Sequence, residues 1–179
     1  MKRKILRKRL LTVVLFLIKF NLLAIPMYLI LWLNLSYPPM QVFLTELTYR
    51  NLNLMGYRAE LINSRESAVP LIYFSDQFPK IQISWDSTGW KSMYALLALT
   101  IATPYSNLKR KLKFLALGIP FLFLLNYIRI ITTILVSLNF GVQYFEVVHT
   151  LLWREGLIMA VVAVWYLWLK KVKYNIGQK

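Results

Sequence analysis

The chain has 179 residues, of which 58% are apolar and 16% charged, and its formal net charge at pH 7 is +15. A water-soluble domain of this length does not absorb so large an apolar fraction, so the composition indicates an integral membrane protein. The basic residues cluster beside apolar runs, which argues against nucleic acid as a partner. The absence of Cys excludes a disulfide framework, a thiolate metal site and, as the chain stands, a cysteine nucleophile.

Four apolar segments have about the length that a helix needs to cross a hydrocarbon core of roughly 30 Å. They are residues 10–33, 88–106, 114–138 and 151–169. The first follows a basic leader, as in a signal peptide, but no small-residue cleavage site closes it, so we expect a retained helix. The sequence therefore predicts an all-α integral membrane protein with about four transmembrane helices, residues 1–179 forming a single membrane domain.

Lysine and arginine predict the orientation of these spans. Residues 1–9, 106–113 and 170–179 hold most of the 22 basic residues and no Asp or Glu. The positive-inside rule places all three segments in the cytoplasm, and with them both termini. All seven acidic residues then fall outside or at the outer interface.

The outer segment at residues 36–86 differs from the rest of the chain. It contains several of the seven prolines, and its runs at 69–74 and 80–85 are rich in β-forming residues. We expect a small extracytoplasmic cap in which these two runs form a short β-hairpin.

The junction between this cap and the second span is the first candidate site. Asp86, Ser87 or Thr88 is suited to cap the helix that begins there. A helix N-terminus also presents free backbone N–H groups that stabilise an anion. Ser87 is thus either a simple cap or a residue with a catalytic role.

Two further polar side chains are expected near the outer surface. Arg129 lies about 22 Å along the third span, with Asn126 one turn before it on the same face. An intramembrane arginine serves either as an interhelical tie, here to Glu146 or Glu155, or as an active-site cation. His149, the only histidine, lies in the loop at 141–150 or at the mouth of the last helix, where imidazole is a capable general base.

These residues resemble the archaeosortase/exosortase family of membrane-embedded transpeptidases over residues 83–157. Residues 86–93, Asp-Ser-Thr-Gly-Trp-Lys-Ser-Met, are similar to the family's Cys-(Ser/Thr)-Gly motif, and residues 126–130, Asn-Tyr-Ile-Arg-Ile, to its Asn-x-x-Arg motif. The downstream histidine is His149. Ser87 stands where the family has its nucleophilic Cys, which normally abolishes or greatly slows acyl transfer. Either the change was introduced to inactivate the enzyme, which is our interpretation, or the chain is a natural relative that is inactive or uses serine.

The resemblance implies a cysteine-protease-like transpeptidase, a sortase analogue of the plasma or inner membrane with its active site facing outside. Its partners would be secreted surface proteins with a C-terminal recognition motif, an apolar helix and a basic tail, and a lipid or envelope amine would accept the acyl group. No cofactor and no metal site are predicted. The implied catalytic residues are Ser87, Arg129 and His149, and the implied substrate-binding residues are Thr88, Gly89 and Asn126.

Two other functions are compatible with the same residues. In a rhomboid-like intramembrane serine protease, Ser87 and His149 would form a dyad, although that family has a Gly-x-Ser-Gly arrangement and more helices. In a non-enzymatic membrane adaptor, the basic inner segments would bind anionic lipids and Ser87 would only cap a helix.

Overall fold

The computed structural model describes residues 2–63, 68–74, 78–150 and 156–177, and these are mostly helical. Six α-helices occur in the described residues: α1 Lys2–Trp32, α2 Pro38–Leu54, α3 Trp90–Ala102, α4 Leu108–Phe140, α5 Gln143–Thr150 and α6 Leu157–Gly177. Two strands, β1 Glu60–Ile62 and β2 Leu71–Tyr73, pair antiparallel.

Two helices in the described part of the chain are long and apolar enough to cross a membrane. They are Leu10–Trp32 within α1 and Leu108–Phe140, which is the whole of α4. The 13 residues of α3 extend about 20 Å, less than the hydrocarbon thickness, and the last apolar segment turns basic at Lys170. The helical, membrane-associated character of the chain agrees with the prediction, whereas four spans and their orientation stay predictions.

Two helix boundaries differ from the predicted ones. Residues 108–113, predicted as part of a basic loop, are the first turns of α4, because the Asn107 Oδ1 atom accepts a hydrogen bond from the Arg110 backbone N–H at 3.1 Å and caps the helix. His149, predicted in a loop or at a helix mouth, lies inside the separate short helix α5. The start of the last predicted span, at 151–155, lies outside the described residues.

The junction before α3 is not a helix cap as predicted. Residues Trp85–Thr88 form one 3₁₀ turn, whose N-cap is Ser84 rather than any residue at 86–88. Gly89 follows in the left-handed region at φ +79°, and α3 begins only at Trp90. The left-handed glycine separates the turn from the helix, which is why the predicted continuous helix from residue 88 is wrong.

The predicted hairpin is correct in only one of its two strands. β2 lies within the run at 69–74, but it pairs with β1 in the register Leu61 opposite Ile72. The run at 80–85 makes a single bridge, between Ile81 and Ile72. It leaves the sheet soon afterwards, because the Ile83 carbonyl accepts a hydrogen bond from the Gln41 side chain at 3.0 Å.

The chain forms two compact units. The first unit comprises Met1–Leu35, Lys91–Leu122 and Met159–Lys179, and the second comprises Ser36–Trp90 and Phe123–Ile158. The core of the second unit is aliphatic: Leu44 and Leu52 of α2, Ile83, and Ile130, Ile131 and Ile134 of α4. This core packs Ile83, which precedes the 3₁₀ turn, and α4 against α2. It therefore positions the polar residues of the turn and of α4.

Inside the first unit, polar side chains tie apolar helices to one another. The Tyr94 hydroxyl of α3 donates to the Leu23 carbonyl of α1 at 2.7 Å. The Trp165 indole of α6 donates to the Thr103 hydroxyl at 3.1 Å. Such hydrogen bonds add specificity where apolar helices alone would slide against one another.

Candidate functional site

The 3₁₀ turn holds Ser87 in a defined position at the edge of the second unit. The Ser84 hydroxyl accepts a hydrogen bond from the Ser87 backbone N–H at 3.3 Å, and the two hydroxyl oxygens lie 3.0 Å apart. The Thr88 hydroxyl donates to the Trp85 carbonyl at 2.7 Å, and Thr88 is fully buried. The turn is therefore closed by its own side chains, and Ser87 stays half-exposed.

Gly89 lets this turn approach α4 closely. A Cβ atom at position 89 would lie 2.7 Å from the Asn126 Cγ atom, a distance that real side chains do not reach. Gly89 also has φ +79°, which other residues adopt only at a cost. Both conditions require glycine, so the Ser-Thr-Gly sequence has a structural reason at this position.

A chain of hydrogen bonds runs from the turn to α5. The Asn126 Nδ2 atom donates to the Ser87 carbonyl at 3.0 Å. The Asn126 Oδ1 atom accepts from Arg129 Nη1 at 2.8 Å, and Arg129 Nη2 lies 2.8 Å from His149 Nε2. Asn126 and Arg129 are 1% and 5% exposed, so their mutual orientation is fixed by burial as well as by these bonds.

The contact between Arg129 and His149 sets the state of the imidazole. A guanidinium group only donates hydrogen bonds, so Nε2 accepts and the ring proton resides on Nδ1. Burial lowers the pKa of His149, the nearby Arg129 charge lowers it further, and the Glu146 charge opposes both. His149 is therefore neutral at pH 7 and retains the capacity to take up a proton.

A small cavity joins these groups. Its volume is about 50 Å³, and Ser87, Arg129 and His149 all line it, together with Phe145 and apolar residues of 81–83 and α4. The ring centroids of Phe145 and His149 are 5.4 Å apart. The cavity has room for a few water molecules but not for a peptide, so a substrate has to widen it.

The predicted site residues thus meet in one place, although their roles are not tested by their positions. Ser87, Arg129 and His149 share the cavity, and Asn126 connects the first two. Thr88, Gly89 and Asn126, predicted to bind substrate, are all buried and hold the turn against α4. Their contribution to substrate binding stays a prediction. Of the two predicted carboxylate partners of Arg129, Glu146 lies on α5 beside His149, and Glu155 lies outside the described residues.

Two residues of the site were missed by the sequence reasoning. Ser84 holds the backbone and hydroxyl of Ser87, and Phe145 lies beside the imidazole. The three-residue spacing from Ser84 to Ser87 is a recognisable capping pattern and could have been found. Phe145 carries no local signal, because its position depends on how α5 lies against α4.

In the described part of the chain, no three His, Asp, Glu or Cys side chains are grouped so that they could hold a metal ion. No curated protein and no solved structure matches the chain. A family model described as transmembrane exosortase matches residues 5–169, which is most of the chain. The chain belongs to the transmembrane exosortase family.

Proposed function

We propose that this chain is a membrane transpeptidase, in a form that Ser87 leaves inactive, of the kind that cleaves C-terminal sorting signals of secreted surface proteins and transfers them to an amine of a lipid or envelope component. Membership of the exosortase family supports the class of reaction and of substrate. The observation that carries the proposal is the hydrogen-bonded series Ser87, Asn126, Arg129, His149 around one cavity. This arrangement supports the assignment of position 87 as the nucleophile, Arg129 as the cation and His149 as the base.

In the proposed reaction, a thiol at position 87 is the nucleophile. His149 Nε2 takes the thiol proton, and the sulfur attacks the scissile carbonyl carbon while Arg129 stabilises the oxyanion. His149 then protonates the departing amine of the sorting signal, which leaves a thioester. The acceptor amine attacks this thioester, its proton passes to His149, and the thiol is released with a new amide bond formed.

This sequence of steps requires a rearrangement. His149 Nε2 accepts from Arg129 in the resting arrangement, so it cannot simultaneously accept a proton from position 87. Arg129 therefore exchanges its hydrogen bond from His149 to the substrate oxyanion when the cavity opens. Among the described residues, the Ser87 hydroxyl contacts the Ser84 hydroxyl and no base in the resting state, so it is a weak nucleophile. We accordingly propose that the chain with Ser87 is inactive.

The direct test is co-expression of the chain, or of its Ser87→Cys variant, with secreted reporters that end in a candidate motif, an apolar helix and a basic tail. Mass spectrometry of the reporter's C-terminus detects cleavage and the attached group. We expect processing only by Ser87→Cys. The matched control is Ser84→Cys, which places a thiol three residues away in the same turn and should process nothing.

Three results contradict parts of the proposal. Processing by the unchanged chain, with labelling by a fluorophosphonate that is lost in Ser87→Ala, identifies a rhomboid-like serine enzyme. Processing by neither form across several sorting signals supports the adaptor. Equal processing by Ser84→Cys shows that the reaction does not require the nucleophile at position 87.

A substrate-independent test uses the absence of Cys from the chain. A single thiol at position 87 or 84 is then the only site of iodoacetamide alkylation. The Arg129 charge favours the thiolate at position 87, so we expect faster alkylation at pH 7 there than at position 84. Replacing Arg129 by Gln should remove the difference. Equal rates at both positions would contradict activation of position 87.

A further inference from the structure

The first unit has a groove at the basic ends of α4 and α6. Its volume is about 540 Å³. Nine residues line it: Arg110, Lys113, Phe114, Leu117, Val164, Leu167, Trp168, Lys171 and Val172. None of them belongs to the candidate active site, which lies wholly within the second unit.

The lining residues follow one helix face on each side of the groove. On α4 they are spaced as i, i+3, i+4 and i+7 from Arg110, and on α6 as i, i+3, i+4, i+7 and i+8 from Val164. The cations come first on α4 and last on α6, so they gather at one end of the groove. The apolar side chains continue along it for about 10 Å, at 1.5 Å per residue.

The floor of the groove is formed by packed side chains. The Phe114 and Trp168 rings stack with centroids 4.8 Å apart, and Val172 is 6% exposed. On the walls, Leu117 and Leu167 are 75% and 65% exposed. The groove therefore offers apolar surface beside exposed cations, a combination that fits an amphiphile.

The charge of this unit has no internal counterpart. None of its three segments contains Asp or Glu. The buried cation Lys111 is already satisfied, because its Nζ atom donates to the Ile101 carbonyl at 2.7 Å. The three cations that line the groove, Arg110, Lys113 and Lys171, are exposed. They are therefore available to an anionic group that comes from outside the unit.

We infer that this groove binds an anionic phospholipid, with its phosphate at Arg110, Lys113 and Lys171 and an acyl chain along Phe114, Leu117 and Leu167. Basic pockets between membrane helices bind anionic headgroups in this way. The first unit of a second copy would bring the same positive charge to the groove, and so would a sorting signal's basic tail. Both are electrostatically unfavourable, which leaves lipid as the occupant.

The inference predicts which variants lose lipid. The full chain is purified in detergent, and native mass spectrometry counts retained phosphatidylglycerol and phosphatidylcholine at equal concentrations. We expect preferential retention of phosphatidylglycerol, and a loss of about 100-fold in its apparent affinity in the triple variant Arg110→Gln, Lys113→Gln, Lys171→Gln, from roughly fivefold per cation. The matched control, Arg7→Gln, Lys109→Gln, Lys170→Gln, removes the same charge from exposed residues of the same unit and should lose less than fivefold.

Equal losses in the two triple variants overturn the inference, because they indicate diffuse attraction to a basic surface. Equal retention of the two lipids by the unchanged chain overturns it as well. Soluble glycerol phosphate at millimolar concentration distinguishes a lipid site from a free-phosphate site. It should not displace the lipid, since the apolar wall holds the acyl chain, and displacement would contradict that assignment.

A measurement on the unchanged chain protects the test against a variant that fails to fold. Phosphatidylglycerol with a photoreactive diazirine in its acyl chain is added to the purified protein and irradiated, and peptides are mapped. We expect labelling at residues 110–117 and 164–172. Labelling spread evenly over α1, α4 and α6, or its absence from residues 110–117 and 164–172, would falsify the inference.

Discussion

The two compact units differ in how their charged side chains are compensated. In the second unit the buried Asn126 and Arg129 find partners inside the unit, and the described acidic residues, Glu46, Glu60, Asp86 and Glu146, are located there. In the first unit the exposed cations Arg110, Lys113 and Lys171 accumulate without one carboxylate. A buried polar network therefore defines a specific site, whereas an uncompensated surface charge depends on the surrounding membrane.

The largest expected effect of breaking the network comes from Arg129. In a Ser87→Cys background, Arg129→Gln removes the charge that would stabilise the oxyanion, and reporter processing should fall by about 10²–10³-fold. The control is Arg50→Gln, an exposed cation of α2 in the same unit, which should process normally. Near-normal processing by Arg129→Gln would leave Arg129 as an interhelical tie only.

Asn126 tests whether the network positions the turn. Asn126→Ala, again with Ser87→Cys, leaves the partly buried Ser87 carbonyl and the buried Arg129 without their shared partner, which costs roughly 1–3 kcal/mol, so processing should fall about 10–100-fold. Asn126→Asp keeps the acceptor for Arg129 but loses the donor to the Ser87 carbonyl. Its processing rate should therefore lie between that of Asn126→Ala and that of the Ser87→Cys parent. Asn139→Ala, which removes an exposed amide bonded to Tyr57, is the control. A loss confined to KM would indicate substrate binding by Asn126 instead of positioning.

Two glycines separate backbone strain from close approach. Gly89 and Gly56 both have positive φ, at +79° and +92°, but only Gly89 faces another residue within contact distance. Gly56→Ala should destabilise the protein by about 1–2 kcal/mol through its left-handed backbone. Gly89→Ala should add roughly 1–3 kcal/mol from overlap with Asn126. Chemical unfolding in detergent measures both, and equal losses would contradict the close approach.

The smallest expected effect is a pH dependence through His149. Its folded pKa lies below the ordinary 6.5, so the unfolded chain takes up a proton first as the pH falls. The stability that neutral His149 contributes is complete above pH 6.5 and declines as the pH drops below it. Processing by Ser87→Cys should likewise fall on an acid limb below pH 6.5. Glu146→Gln removes a charge that raises the pKa, so it should move this limb to lower pH, and a limb unchanged by it would exclude His149 as the group observed.

Local sequence patterns predicted the long helices well because their signals are long. The apolar runs of α1 and α4 are longer than a strand or the apolar stripe of a soluble helix, and helices long enough to cross a membrane occur at both. The start of α3 was wrong because a single left-handed glycine at 89 outweighed three good capping residues. The partner of β2 was wrong because strands of three residues carry little pattern, and Gln41, 42 positions away, directs residues 80–85 elsewhere.

The site was predictable in its members more than in its geometry. Motif spacing identified Ser87, Asn126, Arg129 and His149, and the structure gathers them around one cavity. The hydrogen bond between Arg129 and His149 Nε2, which occupies the acceptor site of the proposed base, depends on the distance and angle between α4 and α5. No spacing along the chain encodes that arrangement, because the contact joins residues 20 positions apart on two helices.

The two halves of the arginine–histidine pair are anchored very differently. Arg129 is on α4, whose side chains at 130, 131 and 134 form the aliphatic core, whereas none of the eight residues of α5 is buried. Opening α5 exposes only the half-buried apolar side chains Phe145 and Val148, so its free-energy cost is small relative to that of global unfolding. Amide hydrogens of α5 should consequently exchange with deuterium through local fluctuations, long before those of α4 do. The imidazole thus belongs to a helix that opens locally before α4 does.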